Sequence, residues 1–215
     1  MKKLILMVMA ATLLCACCSE IKLATGSYKA LSQQIGTAEF VLDLSSTEVV
    51  EYGMNNPFSA SMPVQHVIGT IDERNAKQGE DFVRDWPAVR REMTQAFVKG
   101  FNRKHGKKGT ILSLGKGDTS YRVVFHVTRL DFGSTGANVA AGVVNSVFGS
   151  GGFYGGGAGG CIVEGTIELL DNTSDKVLGV ISVSPFKTDG SPSETARLCE
   201  LMNECGKWAG MRAKK

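Results

Sequence analysis

Histidine is scarce in this chain, and its three histidines lie far apart. His66 falls in a segment without clear periodicity, His105 in a basic loop over 103–108 and His126 in a predicted strand. No serine occupies the G-x-S-x-G turn of an acyl-transfer hydrolase. The G-x-x-x-x-G-K-S/T loop that binds phosphates is also missing. Because no catalytic or nucleotide-binding motif is present, we expect that the protein is not an enzyme.

Carboxylate pairs of the kind that hydrolyse glycosides are absent from the sequence too. Glu164 and Glu168 share one face of a predicted strand. Four residues of strand separate them by about 13 Å, whereas the carboxylates of glycosidases lie roughly 5 to 10 Å apart. This pair therefore does not indicate a hydrolase.

The cysteines lack the spacing of a metal site. Three of the six lie near the N-terminus, and Cys161, Cys199 and Cys205 remain for the rest of the chain. No C-x-x-C pair accompanies them, so we expect neither a metal nor a cofactor. Cys199 and Cys205 are six residues apart on a predicted helix, a rise of about 9 Å that prevents a bridge between them. Cys161 could pair with either, or all three could be small apolar core residues.

A strong net charge and a membrane-spanning apolar run are both missing. The formal charge is +3, of which Lys2 and Lys3 supply two. The chain therefore lacks the excess of positive charge that is typical of nucleic-acid-binding proteins. The apolar run Leu4–Leu14 is shorter than the roughly 20 residues that a transmembrane helix needs. A short basic start followed by such a run is instead typical of a secretion signal.

The segment that follows the apolar run contains the sequence Leu14-Cys15-Ala16-Cys17. It resembles the bacterial lipobox, in which an invariant cysteine receives the lipid, although Cys15 departs from the small residue usual at that position. The resemblance implies removal of residues 1–16 and a lipid anchor, palmitate included, on Cys17. The next residue is not Asp, which implies the outer membrane. An ordinary cleaved signal with incidental cysteines is the alternative.

The remaining chain is predicted to form a tether over 17–37 and a single domain over 38–215. Its strand patterns have period two, and its two helix patterns have a buried stripe. They predict an α+β fold, a mostly antiparallel sheet with two helices packed on one face. The predicted strands are 38–50, 64–71, 110–114, 121–132, 161–170 and 177–186.

The two predicted helices have recognisable starts. Pro87 fits the first turn of one helix, whose buried stripe includes Met93, Phe97 and Phe101. The other begins with Ser191-Pro192-Ser193-Glu194, which fits a capping box with Ser191 as the cap. Its predicted buried stripe contains five residues: Leu198, Leu201, Met202, Cys205 and Trp208.

A glycine-rich insertion over 133–160 separates two predicted strands, and it contains no charged residue. It is too long for a compact hairpin loop. A flexible connector is one interpretation. The other is an adhesive arm in which Phe148, Phe153 and Tyr154 supply the contact area for a partner. We predict the second.

The C-terminal part carries a second resemblance. A glycine run precedes the strand Ile162–Asp171, which ends in Leu-x-Asp, and a turn leads to Lys176-Val177-Leu178 and a capped helix. This order resembles a family of bacterial envelope lipoproteins built on a domain of unknown function. The resemblance implies a non-catalytic envelope lipoprotein that binds a protein partner or associates with itself. A carrier or sensor of a small apolar ligand is the alternative function.

Overall fold

The protein has an α+β fold, as the sequence predicts, and this fold is built on one mixed sheet. The computed structural model describes residues 21–53, 64–105, 109–133, 161–188 and 193–214, and at 51–53 and 64–66 it describes the backbone alone. The strands are β1 Ile21–Gly26, β2 Gly36–Asp43, β3 Glu48–Gly53, β4 Val64–Thr70, β5 Thr110–Ser113, β6 Tyr121–Asp131, β7 Ile162–Asp171 and β8 Lys176–Lys187. The helices are α1 Ala30–Gln33, α2 Ile71–Gln78, α3 Glu80–His105 and α4 Glu194–Arg212.

The sheet combines antiparallel hairpins with parallel crossovers. Its main order is β1-β8-β7-β6-β2-β5, and β3 joins β6 while carrying β4 on its other side. The pairs β1–β8, β7–β8, β6–β7 and β3–β4 are antiparallel. Strand β2 pairs in parallel with both β5 and β6, and β3 pairs in parallel with β6. The sheet is therefore mostly antiparallel, as predicted, but it is mixed, because three of its strand pairs are parallel.

The single strand predicted over 38–50 is two strands with a turn between them. Both run along β6, since Asp43 is opposite His126 and Glu48 is opposite Arg129. The Asp43 carboxylate starts the turn by accepting hydrogen bonds from the backbone amide and hydroxyl of Ser45, at 3.0 and 2.7 Å. Asp and Ser favour such turns because their side chains form hydrogen bonds with backbone groups one or two residues away.

Alternation along the central strands places one set of side chains in the core. Val123, Phe125 and Val127 of β6 are buried together with residues of both long helices. The intervening positions, Arg122 and His126 among them, must point to the opposite face because the side-chain period of a strand is two. We call this opposite face the outer face.

The two long helices, α3 and α4, contact each other closely at glycines. A β-carbon on Gly206 would lie 2.3 Å from the Phe97 carbonyl oxygen, and one on Gly100 would lie 2.1 Å from that of Asn203. The Phe97 ring stacks on Phe40 of β2 with centroids 4.5 Å apart. The prediction of two helices is incomplete, because the short helices α1 and α2 are also present among the described residues.

Both long helices begin at residues other than those predicted. Helix α3 begins at Glu80, so Pro87 lies inside it rather than in its first turn. The N-cap of α4 is Ser193, whose hydroxyl accepts a hydrogen bond from the Ala196 amide. The predicted cap Ser191 lies outside the described residues.

The predicted buried stripes are confirmed except at one position. Met93, Phe97 and Phe101 are buried in α3. In α4 four of the five predicted residues are buried: Leu198, Leu201, Met202 and Cys205. The prediction for Trp208 is wrong, since it is 39% exposed. Arg212 lies against its ring, with the guanidinium carbon 5.9 Å from the centroid.

The segment predicted as a tether contributes to the core. Strand β1 pairs with β8, and the Ile21 carbonyl accepts a hydrogen bond from Arg212 Nε at 3.0 Å. Tyr28 is buried, and its hydroxyl donates to the Ile167 carbonyl at 2.7 Å. Among the described residues the fold therefore begins at Ile21, before the predicted boundary at residue 38.

The edges of the sheet are poorly suited to strand addition. Register irregularities interrupt β1 near Leu23 and β4 near Ile68. The third edge, β5, is four residues long, and its Leu112 amide and carbonyl both bond the Asn102 side chain at 2.8 Å. Short, irregular and covered edges oppose pairing with another chain.

Candidate functional site

The outer face carries a cluster of ionisable side chains where β2, β6 and β7 lie side by side. His126 of β6 is flanked by Asp43 of β2 and by Glu168 of β7. The imidazole Nδ1 is 2.8 Å from Asp43 Oδ2, and Nε2 is 3.7 Å from Glu168 Oε2. His126 thus has a carboxylate neighbour on each of the two adjacent strands.

These three side chains are accessible to solvent. The exposed fractions of His126, Asp43 and Glu168 are 39, 30 and 27%. A partner could therefore reach them without unfolding the sheet. Their exposure also limits what the ion pairs add to stability, because solvent screens exposed charges.

Two backbone irregularities bring the cluster together. The turn after Asp43 ends β2, and Thr47, just beyond it, donates its hydroxyl to the Val127 carbonyl at 2.8 Å. In β6 the pairing with β7 slips between Val127 and Arg129, so Thr128 has no opposite residue. Such bulges redirect neighbouring side chains and are frequent beside functional sites.

The environment of Asp43 favours its ionised form. Hydrogen bonds from the hydroxyl and the amide of Ser45, and a further one from His126, lower the pKa of Asp43 to about 2. A carboxylate that accepts several hydrogen bonds loses its proton more readily. Asp43 is therefore an anion throughout the physiological pH range.

A second ion-pair group continues the cluster along β6. Arg129 Nε is 3.3 Å from Glu48 Oε2 of β3, and its Nη1 is 3.9 Å from Glu164 Oε2 of β7. The two groups together contain four carboxylates, one guanidinium and one imidazole. The cluster is therefore negative whether or not His126 is protonated.

The geometry of the cluster does not match nucleophilic catalysis. The Ser45 hydroxyl donates to Asp43, and no contact between this hydroxyl and His126 is found among the described residues. A serine nucleophile instead needs its hydroxyl on the imidazole that removes its proton.

Metal binding has no support in the same part of the molecule. The two ring nitrogens of His126 contact different carboxylates, so the three side chains do not converge on one point. The described residues contain no group of three or more potential ligands that could hold a metal ion.

A further polar cluster lies at the base of the glycine-rich insertion, where β6 ends and β7 begins. The Phe132 carbonyl accepts hydrogen bonds from Cys161 Sγ at 3.0 Å and from Arg197 Nη2 of α4 at 3.5 Å. Arg74 of α2 lies 3.7 Å above the Phe132 ring and binds Glu194 at 2.5 Å. Side chains of two helices therefore contact Phe132 at one end of the insertion, and Cys161 at the other end is bonded to Phe132.

The three described cysteines are free thiols. Burial raises the pKa of Cys161 to about 12, and the neighbouring Arg197 opposes this only in part. Burial also raises the pKa of Cys205 and of Cys199. A thiol is a poor nucleophile when little of it is ionised. Cys161 and Cys205 are buried core side chains, and Cys199 is partly exposed.

The residues predicted to be functional lie outside the described residues. They are Cys17 as the lipidation site and Phe148, Phe153 and Tyr154 as the partner contact. The prediction missed Arg197, which is 1% exposed. Its position four residues before Leu201 on the buried stripe was the available signal. Asp43 and His126 are 83 positions apart, and no local pattern connects them.

Comparison with known proteins gives no family for this chain. No family model and no curated protein matches it. Two similar solved structures are the PelC dodecamer from Paraburkholderia phytofirmans and a variant of that dodecamer. The first is 11% identical over 91% of this chain and 98% of that chain, with a TM-score of 0.38. The variant is 10% identical over 87% of this chain and 96% of that chain, with a TM-score of 0.36. Similarity this weak carries no argument about the present chain.

The helices in the described ranges include none that is long and apolar enough to cross a membrane.

Proposed function

We propose that this chain is a lipid-anchored protein of a bacterial envelope that binds a protein partner and catalyses no reaction. The anchor is an acylated Cys17, exposed after removal of residues 1–16, and the location is the outer membrane. The partner is another envelope protein or a second copy of the chain. The lipobox resemblance at Leu14–Cys17 supports the anchor.

The observation that carries the binding role is the rigid base of the glycine-rich insertion. Asp131 and Ile162 are paired at the closed end of the β6–β7 hairpin. Beyond this pair, Arg74 of α2 and Arg197 of α4 contact Phe132, and Cys161 donates a hydrogen bond to the Phe132 carbonyl. A contact segment on a rigid base loses less conformational entropy on binding than one on a loose base. Phe148, Phe153 and Tyr154 are the proposed contact residues.

The outer-face cluster supports a role without catalysis. Its charged groups are paired with one another across neighbouring strands, as in Asp43–His126 and Arg129–Glu48. In this proposal α3 and α4 form the layer that covers the core side of the sheet, opposite the outer face. The edges of the sheet are short, irregular or covered, so a partner is expected to bind through side chains and not by adding a strand.

The test is cross-linking in intact cells followed by purification in detergent. One variant lacks residues 134–159, so that Gly133 and Gly160 close the β6–β7 hairpin. Two glycines suit this tight turn because it needs positive φ values, and Gly133 already has a φ of 65°. We expect the wild-type chain to capture a defined envelope protein or a second copy of itself, and the shortened variant to lose that product.

A matched pair of triple substitutions separates contact from chain length. Phe148→Ser, Phe153→Ser and Tyr154→Ser together should also abolish capture. The control changes three exposed apolar residues of the described fold, Ile35, Leu114 and Val177, to serine and should retain it. Equal capture by all variants would contradict the contact site. No product from any chain would contradict partner binding and favour a ligand carrier.

A further inference from the structure

His105 lies at a junction of three elements near the end of the chain. It is the last residue of α3 and is 8% exposed. Its ring packs on Phe101 with centroids 5.3 Å apart and forms a hydrogen bond with the backbone of Leu31 in α1. Gly210 of α4 brings the third element close, since a β-carbon there would lie 3.1 Å from the His105 amide nitrogen. We call this contact the C-terminal junction.

The junction accommodates only a neutral imidazole. His105 Nδ1 is buried and has no hydrogen-bond partner in the part of the chain that the structure describes. Leu31 therefore bonds the other ring nitrogen, and a second proton on Nδ1 would have no acceptor among the described residues. Burying such an unpaired charge is costly.

The charges around the junction would add repulsion. Lys214, just beyond α4, acts electrostatically on the His105 ring, and Arg103 and Lys104 precede His105 in α3. Helix α1 contains no titratable side chain. The stretch of α4 and its extension over 206–214 contains Lys207, Arg212 and Lys214 but no carboxylate. Among the described residues, Lys214 is the charged group that acts on the ring, and it would repel a charged His105.

We propose that the C-terminal junction is an acid-sensitive clasp that joins α1 to the end of α4 and opens when His105 is protonated. Burial, with Lys214 as the second cause, lowers the pKa of His105 below 6.5. The folded junction thus binds the proton less readily than the open one. The stabilisation is complete above about pH 6.5 and is lost as the pH falls below that value.

The test is amide hydrogen exchange on the full chain in detergent at pH 7 and pH 5.5, expressed as protection factors. The reporters are the amides of Leu31 and Ala213, which bond the carbonyls of Tyr28 and Ala209. An imidazole that titrates near 6.5 when open and binds the proton less readily when closed should increase opening by up to about eightfold over this interval. The amides of the β7–β8 hairpin report global unfolding, which also exposes His105, so acid should affect them too. They should nevertheless keep higher protection factors than the two reporters at both pH values, because the clasp opens while the hairpin stays folded.

Three variants distinguish the clasp from a general effect of acid. His105→Gln can still donate to Leu31 but does not titrate, so opening should not increase. His126→Gln removes the outer-face histidine and should retain the wild-type increase. Lys214→Ala removes the repulsion at an exposed site and should show a smaller increase, even if His105→Gln does not fold. A wild type without the increase, the same increase in His105→Gln, or reporter amides as strongly protected as the β7–β8 hairpin at pH 5.5 would overturn the proposal.

Discussion

The Asp43 carboxylate shows how single residues of the outer face depend on their neighbours. It accepts hydrogen bonds from the hydroxyl and the amide of Ser45, and it also contacts the His126 ring. Local sequence contains the first part of this arrangement, since Asp-x-Ser favours a turn. The second part depends on the pairing of β2 with β6. The turn could therefore be predicted from the sequence, whereas the contact with His126 could not.

We predict that Asp43 makes stability depend on pH in strong acid. Its pKa is about 2 in the folded protein and 3.8 in the unfolded reference. The stabilisation is therefore present above about pH 4 and is lost as the pH falls towards 2. Asp43→Asn should flatten the pH dependence of the unfolding free energy over this range, measured by urea unfolding. Ser45→Ala should flatten it in part, and an unchanged slope in Asp43→Asn would contradict the assignment.

At the scale of helices and strands, periodicity predicts the parts that bury an apolar face. The β7–β8 hairpin and the buried stripes of α3 and α4 were predictable because alternation or helical spacing is strong there. Helix α2 was missed because it is short and polar and buries only Ile71 and Asn75. The Thr70–Glu73 capping box was its one sequence signal. The first residues of α3, among them Phe82 and Val83, are exposed, so no buried stripe extends before Pro87.

The contact between α3 and α4 gives a prediction at this scale. Gly206→Ala would place a methyl group against the Phe97 carbonyl, and Gly100→Ala would place one against the Asn203 carbonyl. The helices would have to separate, so we expect each change to lower the unfolding free energy by about 1–3 kcal/mol. Chemical denaturation measures the change.

Gly115 provides the control for this pair. A β-carbon at Gly115 meets nothing within 4 Å, and Gly115→Ala should change stability by no more than about 0.5 kcal/mol. Equal effects at Gly115 and Gly206 would mean that helix packing is not the cause.

The order of strands in the whole molecule could not be predicted from local pattern. The parallel pairs β2–β6 and β3–β6 join segments about 80 positions apart. Pairing between segments so far apart in the chain produces no periodic pattern that the local sequence would show. Strand β1 was also missed, because five of its six residues are exposed and only Ile21 reaches the core.

The role of β1 in the whole fold can be tested by truncation. A chain that starts at Ser27 loses the β1–β8 pairing and the Ile21 side chain, whose burial contributes about 1.5–3 kcal/mol. We expect its Tm to fall by several degrees relative to a chain that starts at Ile21. Thermal unfolding followed by circular dichroism measures this. Equal Tm values would mean that 21–26 is the tether predicted from the sequence.

Acylation of Cys17 is the claim on which both location and partner access depend. The decisive measurement is the intact mass of the chain extracted from membranes, comparing the wild type with Cys17→Ser and with Cys18→Ser. We predict that the wild type and Cys18→Ser begin at residue 17 and carry added acyl mass. Cys17→Ser should carry none and should remain unprocessed. A wild-type chain without acyl mass, or an acylated Cys17→Ser chain, would contradict the lipid anchor at Cys17.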